Sequence, residues 1–428
     1  MRLAATIVLA GLLTAASGHA QEAVETDVAA FQRLRAEGIA AANADDPQTA
    51  EQRLAEADAR IPNHPGLMLM RARLAAAAGR PIEAMALVQR YAAAGLAINL
   101  DGDRALAGLR NQPEFAMLEA AVEANRTPVG AERLSPAATI PGANLVESIV
   151  RDEARGRWLV SQVRGRTVMA LDDAGTLSPW LEIDSRIGGV LGLVMDARAD
   201  VLWAVTAPAP PALRGLNQGA ARPEAALLKI DAASGQVLAR YRAPADNETL
   251  GDVTMGPDGT VYVAGGDLFL LRPAGEVLEV LTPAGLMRSP QGMAVTPDGA
   301  ALIVADYSSG IWRVDRASGA AVRLDVPPNA SLIGVDGLIS DGRALYALQN
   351  GTTPQRVLRL TPDAVWSRIQ TVEVMAANLP QIDEPTTGLV HDGELVFVSR
   401  SQWSDFDGEG ALKSPEPAPA LISRLRLD

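Results

Sequence analysis

Along the last two thirds of the chain, short apolar runs alternate with turn residues in a recurring order. GDVTMGPDGTVYVAGG (Gly251–Gly266) and QGMAVTPDGAALIVAD (Gln291–Asp306) are the fullest copies. Shorter echoes start at Glu147 (ESIVRDEARGRWLV), Gly192 (GLVMDARADVLWAV), Asp336 (DGLISDGRALYAL) and Gly388 (GLVHDGELVFVS). Asp-Gly between apolar runs of period two predicts a β-hairpin. A third apolar run ending in an acid or turn residue follows each hairpin: VMALD, LLKID, FLLRP, IWRVD, VLRLT and the C-terminal ISRLRLD. Both markers count six units, which predicts a six-bladed β-propeller over 143–428. The sixth unit ends at its third strand. The segment around Glu132–Ile140 is therefore the expected outermost strand, closing the ring and covering a sheet edge.

The pattern upstream has a different period. From 22 to 126, Ala, Leu, Glu, Gln and Arg dominate, and apolar positions recur at helical spacing in LMLMRARLAAAAG and AMALVQRYAAAG. Residues 34 apart match in kind: Gly38 with Ala72, Ala50 with Ala84, Leu54 with Val88. This part resembles tetratricopeptide repeats, in which small residues let paired helices approach closely. A third helix pair is expected in DRALAGLRNQPEFAMLEAAVEANR. Residues 127–142, rich in Pro, Gly and small residues, read as a linker containing the closing strand. The predicted class is α+β multidomain, a helical-repeat domain followed by an all-β propeller.

Composition narrows the function. Of 428 residues, 51 are acidic and 38 basic, a net charge of −13, which argues against sequence-independent nucleic-acid binding. The first 20 residues have a charged start, a short apolar stretch and small residues at Gly18-His19-Ala20. They read as a leader, so the protein is expected to be periplasmic or secreted. No other stretch is long and apolar enough to span a membrane. With no cysteine, thiol catalysis and thiolate metal sites are excluded. Past the leader only His64 and His391 remain, each in a turn, and His391 is placed away from the mouth. A Ser-His-Asp triad has no base.

Aligning the six hairpins on their apolar register puts one residue per blade at a shared mouth: Glu147, Leu191, Gly251, Gln291, Asp336 and Thr387. Two carboxylates and an amide gathered there are hard oxygen donors suited to a divalent cation. Asp252, Arg288, Asp306 and Tyr307 fall near the same face. Arg288 is a candidate for neutralising a substrate carboxylate. Two long insertions between second and third strands, TAPAPPALRGLNQGAARPEAA in blade two and SRSQWSDFDGEGALKSPEPAPA in blade six, are expected to overhang this mouth. Trp403 in the second is a candidate substrate contact. The run Asp405–Glu409 alternates acids but lacks the rest of a calcium loop, and reads as a solvated turn.

At LVESIV (Glu147), SPQGMAVTPDG (Gln291) and GVDGLI (Asp336) the chain resembles the six-bladed propellers of the gluconolactonase, regucalcin and senescence-marker type, over about 143–428. The resemblance implies one divalent metal held by Glu147, Gln291 and Asp336, Ca²⁺ first with Mg²⁺, Mn²⁺ or Zn²⁺ as alternatives. It further implies a lactone or sugar-acid-like ligand, with Asp336 as catalytic acid/base. Gln291 stands where the family has Asn, Gly251 where it often has Asn, and Ser148 where it has Gly-Pro. A second function class is a non-catalytic envelope module that binds a ligand or protein partner through propeller loops and the helical groove.

Overall fold

The computed structural model describes residues 25–182, 184–208, 223–244, 249–283 and 285–428. The leader-like stretch 1–20 and most of the blade-two insertion lie outside them. Six four-stranded antiparallel sheets make the six-bladed propeller. Their innermost strands are Val146–Asp152, Gly189–Asp196, Leu250–Met255, Pro290–Val295, Val335–Ser340 and Gly388–His391 for blades one to six. The turn chemistry sets the first hairpins. Gly259 and Gly299 take φ of 83° and 70°, while Asp258 and Asp298 accept from the backbone N–H two residues on.

Blade six is composite. Its three C-terminal strands are completed by Leu134–Ile140, which pairs antiparallel with Ala420–Arg426 from Leu134↔Leu425 to Ile140↔Ala420. The buried cluster across this closure joins Ile140, Val146, Val160, Val398 and Ile422. Every other blade boundary is filled in the same way; Leu159, Val168, Leu202 and Leu228, for example, pack blades one and two together.

The N-terminal region forms two antiparallel helix pairs, α1 (Asp27–Asn43) with α2 (Pro47–Arg60) and α3 (Pro65–Ala77) with α4 (Pro81–Ala93). A Cβ at Gly38 would lie 2.7 Å from the Leu54 side chain, so only glycine permits that approach. The third pair differs from expectation. Its second helix forms as α5 (Phe115–Ala124), but its first shrinks to a 3₁₀ turn, Ala107–Asn111. Gly108 inside it and Pro113 just beyond leave too little sequence to propagate an α-helix.

The helices are bonded firmly to the propeller. Phe31, Leu34, Leu54 and Leu67 share one buried cluster with Tyr262, Leu302 and Trp312 of blades three and four. Asn63 donates to Pro328 O and Ala330 O, and Arg356 of blade five donates to Ala94 O and Gly95 O just past α4. No helix among the described residues is long and apolar enough to cross a membrane.

Candidate functional site

The innermost strands deliver the mouth residues through a shared irregularity. In blades one to five the register between first and second strands slips, and the slip spans Glu147, Leu191, Gly251-Asp252, Gln291 and Asp336 respectively. Such bulges re-aim side chains out of the pleat. Glycines directly after three of these positions let neighbouring strands crowd together. A Cβ on Gly292 would meet Leu338 N at 2.2 Å, and one on Gly337 would meet Thr386 O at 2.0 Å.

The result is a 330 Å³ cavity lined by Glu147, Leu191, Gly251, Asp252, Ser289, Gln291, Tyr307, Asp336 and Trp403. Five of the six expected ring positions are here. Thr387 is not. In blade six the Thr386 N–H and the Thr387 carbonyl both bond Val398, and Thr387 lines the cavity at the other end of the bore. That larger cavity, 560 Å³, is lined in part by Met195, Met255, Met293 and Leu389; Asp252 borders both spaces. His391 lies at the far end, within 3.1 Å of a Glu153 carboxylate oxygen and edge-on to Trp158.

At the acidic mouth each expected donor has one polar atom pinned by the protein. Glu147 Oε2 accepts a 2.8 Å bond from Trp403 Nε1. Asp336 Oδ2 accepts a 2.6 Å bond from Asn350 Nδ2. Gln291 Nε2 donates to Ser289 Oγ at 2.9 Å. The other oxygens, Glu147 Oε1, Asp336 Oδ1 and Gln291 Oε1, have no hydrogen-bond partner among the described residues. Gln291 Oε1 would sit 3.8 Å from a Cβ placed on Gly251, so the missing side chain there leaves the amide oxygen open. Asp252 likewise has no hydrogen-bond partner among the described residues.

Among the described residues no lysine or arginine lines this cavity. Removal from bulk water pushes the Glu147 carboxyl well above its ordinary range, reinforced by Asp336 and opposed by the Trp403 bond. The Asp336 carboxyl rises for the same first reason and through repulsion from Asp252, with the Asn350 bond opposing. Desolvation alone lifts Asp252 to about 7. Glu384, held by the Ser404 backbone N–H, adds negative charge beside Glu147, Asp336 and Tyr307.

The remaining candidates divide. Tyr307 lines the cavity, and its hydroxyl donates to Asn350 Oδ1 at 3.0 Å. Arg288 is exposed and outside the cavity lining. Asp306 is fully buried and ties down the Ser289 N–H at 2.8 Å, so it shapes the loop beneath the site. In the acidic run of blade six, Asp407 accepts from the Glu409 and Ala411 N–H groups, a self-contained turn. Sequence reasoning missed Asn350, Ser289 and Glu384. Asn350 is the residue after a second strand, on the same rim as Tyr307, and that placement was the available signal.

Among the described residues no three His, Asp or Glu side chains are grouped closely enough to hold a metal. The cavity lining does bring together two carboxylates and the Gln291 amide oxygen, the oxygen donor types that a hard cation takes alongside water.

No family model and no curated protein matches the chain. Solved structures similar to it include a gluconolactonase from Xanthomonas campestris, 16% identical over 68% of this chain and 89% of that one, with a TM-score of 0.46. Another is a luciferin-regenerating enzyme, 12% identical over 70% of this chain and 95% of that one, with a TM-score of 0.45. The activities belong to those proteins; at this degree of likeness nothing about chemistry transfers, and function has to be argued from the site.

Proposed function

We propose that the acidic mouth hydrolyses a small lactone or similar ester, with one divalent cation held by Glu147, Gln291 and Asp336. The observation that carries this reading is the pattern of pinned and open atoms. In each of three side chains from three blades, one end is fixed by a hydrogen bond and one oxygen is left open in the same cavity. Ca²⁺ is the first choice for an all-oxygen set completed by water, ahead of Mg²⁺, Mn²⁺ and Zn²⁺. When bound, the cation would polarise an ester carbonyl and acidify a water ligand.

The chain's own groups supply the rest. Glu147 is held in one rotamer by Trp403, whose indole, with Leu191 and Tyr307, gives the cavity an apolar wall for the non-reacting part of a substrate. Asp336 would also take a proton from attacking water and return it to the leaving alcohol. Asp252 and Glu384 keep the region negative, which favours a cation and disfavours anionic substrates. The leader-like N-terminus supports work outside the cytoplasm.

The test is calorimetric titration of Ca²⁺, Mg²⁺, Mn²⁺ and Zn²⁺ into chelator-stripped protein and its Asp336→Ala variant, followed by lactone hydrolysis assays with the ion that binds. Saturable one-site binding that Asp336→Ala abolishes is the expected result. Absence of binding to the wild type overturns the proposal.

A further inference from the structure

We propose that Asn350 is the positioning residue of this mouth, bracing Asp336 so that only Oδ1 is offered to a bound cation; the inference rests on the reading of Glu147, Gln291 and Asp336 as its ligands. Asn350 uses its whole carboxamide on three blades. Nδ2 donates to Asp336 Oδ2 at 2.6 Å in blade five and to Pro385 O at 3.1 Å at the entry to blade six. Oδ1 accepts from the Tyr307 hydroxyl at 3.0 Å in blade four. The next residue after Pro385 continues the brace, since Thr386 Oγ1 donates to the Glu147 carbonyl at 2.7 Å in blade one. One amide thus ties together the walls that carry two of the three proposed ligands.

Asn350 is itself held from behind. Gln349, fully buried, donates to Ser331 O and Ile333 O and accepts a 2.7 Å bond from Arg356 Nε. Arg356 in turn grips Ala94 O and Gly95 O of the helical region. On the other side, a Cβ at Gly351 would stand 2.6 Å from the Tyr307 hydroxyl, so glycine there is what admits the tyrosine to its bond with Asn350. An amide fixed from both flanks can dictate which oxygen of its carboxylate partner stays free. Outer partners of metal ligands typically contribute about 10- to 100-fold to metal affinity.

The experiment is Ca²⁺ titration of the full chain by calorimetry in wild type, Asn350→Leu, Asn350→Gln and Tyr307→Phe, with thermal melts alongside. Terbium emission sensitised through Trp403 serves as a spectroscopic readout of the ion's surroundings. Asn350→Leu is expected to bind Ca²⁺ about 10- to 100-fold more weakly at a nearly unchanged melting temperature. Asn350→Gln, which keeps the donor, should fall between the two. Tyr307→Phe removes one arm of the brace with little change in volume and is expected to weaken binding about 2- to 5-fold; it keeps the test alive if Asn350→Leu does not fold. Equal affinity in wild type, Asn350→Leu and Tyr307→Phe overturns this inference and leaves the proposed function standing. No binding by the wild type overturns both.

Discussion

Trp403 and Glu147 stand 256 residues apart and meet through a 2.8 Å hydrogen bond from the indole N–H to carboxylate Oε2. The bond joins the insertion of the last blade to the first strand of the first, across the seam where the ring closes. A hydrogen bond to a charged acceptor contributes roughly 1.5–3 kcal/mol. Trp403→Phe keeps the ring and removes the donor. It is expected to lower kcat/KM for lactone hydrolysis by about 10-fold or more and to cost up to about 1.5–3 kcal/mol of stability. Unaltered kinetics would mean that the orientation of Glu147 does not matter to the reaction.

The acids of the mouth make the cation-free protein sensitive to pH in a defined direction. Asp252, raised to about 7, and Glu147 and Asp336, also raised, bind protons more tightly folded than unfolded. The contribution of Asp252 and Asp336 is complete below the unfolded carboxyl range near pH 4 and is lost as pH rises through about 7 to 8, and Glu147 acts in the same direction. Chelator-stripped protein should therefore melt at a lower temperature at pH 9 than at pH 6. Asp252→Asn should recover on the order of 1–3 kcal/mol at pH 9, and saturating Ca²⁺ should flatten the profile. Urea denaturation at the two pH values checks this; the same pH profile in wild type and Asp252→Asn would refute it.

How much of this site could be read from the chain depends on which residues repeat. Glu147, Gln291 and Asp336 were legible because strand period and blade repeat align them without any knowledge of contacts. Thr387 was misplaced by the same alignment. The positions that aim inward do so at irregular pairing, and the apolar pattern does not reveal how that irregularity falls in blade six, where Thr386 and Thr387 both bond Val398. Asn350, Ser289 and Glu384 come from loops with no period, where only the fold decides what faces what. The helical region shows the same division. Its paired spacing is written in small residues such as Gly38, whereas the 3₁₀ turn at Ala107–Asn111 follows from a glycine and a proline that override a helical-looking pattern.

On the proposed function, charge would select the substrate. Among the described residues the cavity lining has three acids and no basic residue, and Arg288 lies outside it. Esters or lactones carrying a carboxylate are expected to react at least about 10-fold more slowly, by kcat/KM, than uncharged ones of the same shape. The gap should narrow in Asp252→Asn. Paired substrates assayed at low and moderate ionic strength check the prediction, and a preference for the anionic member would contradict it.

Closure of the ring relies on a strand that precedes the propeller in sequence. Ile140 ends that strand, fully buried against Val146, Val398 and Ile422. Ile140→Ala should destabilise the protein by about 2–5 kcal/mol. Because the closure lies beside Glu147, the variant should also bind Ca²⁺ more weakly. A loss below about 0.5 kcal/mol in urea denaturation would mean that the seam does not hold the ring shut.

His64 links two helices in a way that only its neutral form allows. Its Nδ1 accepts the Leu67 N–H at 3.3 Å, capping α3, and its ring stacks on Phe31 of α1 at 4.9 Å. Burial, then repulsion from Arg35, lowers its pKa to about 4. Protonation would remove the acceptor and set a charge against an apolar cluster. Because the unfolded chain takes up this proton near pH 6.5 and the folded one only near 4, stability is complete above about 6.5. It is lost as pH falls between those values, by at most about 3 kcal/mol. The mouth carboxylates act in the opposite sense across that window, so the total profile mixes the two. His64→Asn separates them: asparagine can still cap the helix but does not titrate, at a cost of about 1 kcal/mol in lost stacking at pH 7. The difference in unfolding free energy between wild type and His64→Asn should therefore shrink and then reverse from pH 7 to pH 4.5. A constant difference across that range would show that the imidazole carries no part of the acid sensitivity.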